Sequence, residues 1–61
     1  MSERQLRRLI YKYEKLVLRY TERACNWAAE ENGDLARVCA ASARAAQSQA
    51  DRLKAELDDL D

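Results

Sequence analysis

The groups in this chain that could do chemistry are two cysteines, three tyrosines and eleven acidic and eleven basic side chains, with no histidine among its 61 residues. That inventory excludes more than it offers. A closed zinc site needs about four Cys or His ligands, and Cys25 and Cys39 are the only two. Catalysis needs an acid–base pair held in a cleft away from water. Nothing in the pattern builds one, so the expectation is a protein that is not an enzyme and takes no cofactor. Glu30, Glu31 and Asp34 form a short acidic group that could attract a cation; at a helix end they read more simply as solvating charge, and no metal is expected.

Two further sets recur at helical spacing. Arg8, Lys12, Lys15 and Arg19 step by four, three and four, a row of cations suited to a phosphate backbone or to solvent. Tyr11, Leu18 and Cys25 repeat every seven residues on a different face, an apolar line suited to docking a macromolecular partner, with Tyr11 as its anchor.

The elements that must carry these sets follow from one register. Leu6, Ile10, Tyr13, Val17, Tyr20, Ala24 and Trp27 step by four and three, and so, counted back from the far end, do Leu60, Leu57, Leu53, Ala50, Ala46, Ala43 and Cys39. The two stripes mirror each other about the lone glycine, Gly33. This predicts an all-α fold, one domain over residues 1–61, in which an antiparallel helical hairpin turns about Gly33. The first helix is expected over about residues 3–31 behind a Ser2/Gln5 capping box, the turn at 32–34 with Gly33 left-handed, and the second helix over about 35–59 behind Asp34.

Charge supports folding back over one continuous helix: residues 1–32 carry a net +2 and residues 33–61 a net −2, and Arg4, Arg7 and Arg8 fall level with Asp58, Asp59 and Asp61. Large residues of the first stripe meet small ones of the second, which predicts a close approach. Cys39 belongs to the stripe and Cys25 to the outer flank, so their Cβ vectors diverge and a disulfide between them is not expected.

A hairpin of this size buries little, and its aliphatic anchors are only eight Leu, one Ile and two Val. At 3.6 residues per turn, Leu9 and Leu16 flank the first stripe, and Leu35, Val38, Ala41 and Ala45 flank the second. A second copy packed on those flanks gives a four-helix bundle, with Leu9, Leu16, Leu35, Val38 and Ala45 as its dimer interface. The zero net charge favours neither nucleic acid nor membrane, no stretch reaches the length of a membrane span, and no signal-peptide core follows the N-terminus. A cytoplasmic homodimer that binds a protein partner is the resulting expectation: a small regulator, adaptor or inhibitor, with no small-molecule substrate.

In length and outline the chain resembles the plasmid copy-number regulators of the Rop type, short helical hairpins that dimerise into a four-helix bundle and bind paired RNA loops. The likeness covers length and architecture, and no segment carries binding positions across. It implies RNA as the alternative partner, with Arg8, Lys12, Lys15 and Arg19 the residues to meet it. Hairpin co-chaperones of secretion systems, which are subunits of hetero-oligomers, share the outline, as do phage-encoded inhibitors.

Overall fold

A computed structural model describes residues 1–60. Among these residues the chain forms two α-helices, α1 over Glu3–Ala29 and α2 over Gly33–Asp59, antiparallel in a hairpin of 46 × 13 × 12 Å. Helix α1 starts where its capping box lies: the Ser2 hydroxyl accepts from the Gln5 amide at 3.2 Å, and the Ser2 amide donates to Gln5 Oε1 at 3.0 Å. Two of the orphan donors of the first turn are thereby satisfied.

The turn departs from its expected chemistry. Helix α1 ends at Ala29, two residues early, and the left-handed residue is Glu31 at φ 62°; Gly33 has no positive φ. The Glu31 amide donates to the Ala28 carbonyl at 3.0 Å and the Asn32 amide to the Trp27 carbonyl at 2.9 Å, the paired bonds of a Schellman motif. Asn32 then caps α2 in place of Asp34, its Oδ1 accepting from the Leu35 amide at 3.2 Å. The physical reason for the shift is that Asn32 serves both helices, closing α1 through its backbone and opening α2 through its side chain. Gly33 becomes the first residue of α2, and Asp34 lies in its first turn, where a carboxylate meets the positive end of the helix dipole.

The register places the expected stripes against each other. Every stripe position except Leu60 is buried or half-buried, and the core proper is Leu6, Ile10, Ala43, Ala46 and Ala50. Three alanine methyls at the centre of α2 let the helices approach where α1 offers Val17, Tyr20 and Ala24. Leu60, expected to close the open end of the hairpin, is instead 54% exposed. It sits at the C-cap, displaced from the stripe's midline towards the uncovered side, where a lone hairpin has nothing to lay over it.

The level charges at the open end do not pair across the hairpin. Arg7 turns to Glu3 of its own helix, with Nη2 and Nε at 2.8 and 3.0 Å from the same carboxylate oxygen. Asp58 and Asp59 make no ion pair among the described residues, and Asp61 lies outside them. An i,i+4 partner one turn away needs less side-chain ordering than one across the groove. Among the described residues the ion pair that bridges the helices is Lys54–Glu14 at 3.1 Å, and it sets their levels within two residues of the predicted register.

Candidate functional site

Lys54–Glu14 also distinguishes the two sides of the hairpin. Both residues leave the stripe of their own helix in the same rotational sense, so the opposite flanks of α1 and α2 lie together on the other side. Those flanks hold Leu9 and Leu16 on α1 and Leu35, Val38 and Ala45 on α2, with Tyr20 and Trp27 at the inner edge. Leu9, Leu16, Tyr20 and Trp27 are half-buried, and Ala45 is exposed. Val38 is 60% and Leu35 39% exposed. This side is an apolar face along the molecule, broken by a few polar residues, among them Gln5, Lys12 and Arg23 on α1 and Ser42, Gln49 and Glu56 on α2.

Tyr11, Leu18 and Cys25 lie elsewhere, on the outer surface of α1 towards the Glu14 side. Tyr11 is 61% and Leu18 70% exposed, and Cys25 is a free, exposed thiol. Cys39 is half-buried in the stripe. The apolar line and the basic row, separate in the sequence reading, meet here. The Lys15 ammonium stands over the Tyr11 ring, 5.2 Å from its centroid, and a shallow depression is lined by Lys15, Leu18, Arg19, Thr21, Glu22, Cys25 and Asn26. The signal for this was present in the i,i+4 spacing of Tyr11 and Lys15, which sets an ammonium one turn from an aromatic face; at an exposed site such a contact is worth about 0.5–1 kcal/mol.

Arg8, Lys12, Lys15 and Arg19 are all exposed, and none forms an ion pair with a carboxylate among the described residues. They do not share one surface with equal reach. Lys15 and Arg19 border the depression beside Leu18, whereas Lys12 leans towards the apolar face. A second depression, lined by Met1, Gln5, Arg8 and Leu9, opens at the free end of that face.

Among the described residues no group of three or more His, Cys, Asp or Glu side chains is arranged to hold a metal ion, and no helix is long and apolar enough to cross a membrane. Compared with known proteins, the chain matches no protein-family model, no curated sequence and no solved structure.

Proposed function

We infer that this chain is a non-enzymatic helical interaction module: a hairpin that pairs with a second copy and presents the outer surface of α1 to a macromolecular partner, as a small regulator, adaptor or inhibitor does. The observation that supports it is the division of apolar surface between two opposite sides. One side carries Leu9, Leu16, Leu35, Val38 and Ala45 along the groove between the helices, which suits it to a second helical layer. The other carries Tyr11, Leu18 and Cys25 as a narrow exposed line with Lys15 and Arg19 at its edge. Tyrosine with a cation at its rim is the composition of a binding anchor.

The partner is proposed to be a protein. Replacing Tyr11 and Leu18 by alanine removes its capture while leaving the helical content and the oligomeric mass unchanged, and added salt weakens the complex little.

RNA is the second reading, supported by the absence of carboxylate partners for Arg8, Lys12, Lys15 and Arg19 among the described residues. It makes a different demand: affinity must fall steeply and log-linearly with salt, and Lys15→Glu with Arg19→Glu must abolish it. Salt titration of binding to a structured RNA separates the two readings, since a complex anchored by Tyr11 and Leu18 lacks that slope. A chain that is folded only with a different helical protein, as a co-chaperone subunit would be, shows itself as a hetero-oligomer of defined mass.

A further inference from the structure

Resting on the homodimer reading above, we propose how the second copy sits: it covers the Leu9–Val38 face with its turn at the same end as the first copy's turn, so that α1 of each hairpin lies over α2 of the other. Two twofold arrangements can bring these faces together. A twofold axis along the hairpin sets α1 over α2 of the second copy; an axis across it sets α1 over α1 and α2 over α2, with the turns at opposite ends. Both leave neighbouring helices antiparallel, so helix packing alone does not choose.

The charges on the face do choose. The Lys54–Glu14 pair sets residue levels, and by that register Lys12 is level with Glu56. With the turns together, Lys12 of each copy meets Glu56 of the other towards the open end of the face, with Asp59 one turn on and Arg52 one turn back. Both Lys12 and Glu56 are exposed in the single hairpin and neither has an ion-pair partner among the described residues.

With the turns apart, one axis serves both helices: the Lys54–Glu14 register puts the α2 midpoint, Ala46, level with residue 22 of α1, so the axis crosses α1 near Arg19, between that level and the α1 midpoint at Leu16. Lys12 then meets Asn26 and Glu56 meets Ser42, so neither charge gains a partner, and Arg19 meets Arg19 of the second copy. Like charges held at close range oppose that register.

Side-chain bulk agrees. With the turns together, Leu9 comes within a residue of Leu60 and Trp27 falls level with Ala41 and Ser42, so apolar or small residues lie opposite large ones. The area fits a dimer too. The hairpin exposes 4851 Å², whereas a compact monomer of its mass exposes about 4,000 Å², an excess near the ~800 Å² per partner of a standard interface.

The test uses the full chain with Cys25→Ser and Cys39→Ala, a spin label on Asp34→Cys beside the turn, and sedimentation for mass. Turns at one end give a dimer with label separation within about 25 Å, two helical layers and the label arms. A dimer with separation near the 46 Å length of the hairpin overturns the arrangement and leaves the homodimer standing. A monomer overturns both.

Lys12→Glu in the otherwise unaltered chain is an independent readout whose outcome differs between the two arrangements. With the turns together it raises the dimer dissociation constant about two- to fivefold at low salt, and the added change Glu56→Lys restores it. A tightened or unchanged dimer contradicts the proposal.

Discussion

Ala50 is fully covered and Ala46 nearly so, and each is a methyl group standing where any larger side chain would separate the helices. Ala46→Leu is therefore expected to destabilise the hairpin by roughly 1–3 kcal/mol, read as a lower denaturant midpoint at unchanged slope. The turn supplies a prediction of opposite character. Gly33 sits at the first position of α2 without a positive φ, and a Cβ added there meets only the Arg37 Nη2 at an ordinary 3.7 Å. Gly33→Ala should stabilise by about 0.4–1 kcal/mol by narrowing the unfolded ensemble. Glu31→Gly should stabilise by about 1 kcal/mol, because it relieves a Cβ in the left-handed region. Thermal midpoints of the two variants check both. From the sequence, glycine is the natural left-handed residue and Gly33 the natural pivot. That reading misplaces the pivot because it cannot weigh a strained Glu31 against what its conformation allows: the Glu31 and Asn32 amide bonds that close α1 and the Asn32 cap that opens α2.

At the scale of the helices, most of the architecture was legible because it rests on period alone. The stripes from Leu6 to Trp27 and from Cys39 to Leu57 are covered as their spacing required, and the Ser2/Gln5 box begins α1 as its residues required. What period does not carry is choice among equivalent local partners. Asn32 and Asp34 are both good caps two residues apart, and Arg7 has acidic neighbours both on its own helix and across the groove; short-range geometry decided each case. The cap is testable by itself. Asn32→Ala is expected to cost about 0.5–2 kcal/mol and Asn32→Asp little, since the carboxylate keeps the acceptor that Leu35 uses. Amide hydrogen exchange should show the loss concentrated in the first turn of α2.

For the whole molecule, an elongated shape leaves much surface uncovered. A Cα radius of gyration of 14.0 Å compares with about 10.5 Å for a compact chain of this length, and among the described residues the core is five residues of which three are alanine. The candidate surfaces were readable from the sequence as separate stripes on a helical wheel. Their grouping was readable too: the wheel sets Leu9, Leu16, Leu35, Val38 and Ala45 on matching flanks and the Tyr11 line on a different face. What the wheel does not carry is side-chain reach, by which the Lys15 ammonium comes over the Tyr11 ring and Lys54 crosses to Glu14.

Whether a second copy covers the Leu9–Val38 face is decided by sedimentation equilibrium of the chain beside its Leu16→Glu, Val38→Lys variant. The expected result is twice the 7.0 kDa chain mass for the parent and the single-chain mass for the variant, whose introduced charges would have to be buried. A parent that sediments as a single chain, or a variant that remains dimeric, would contradict it.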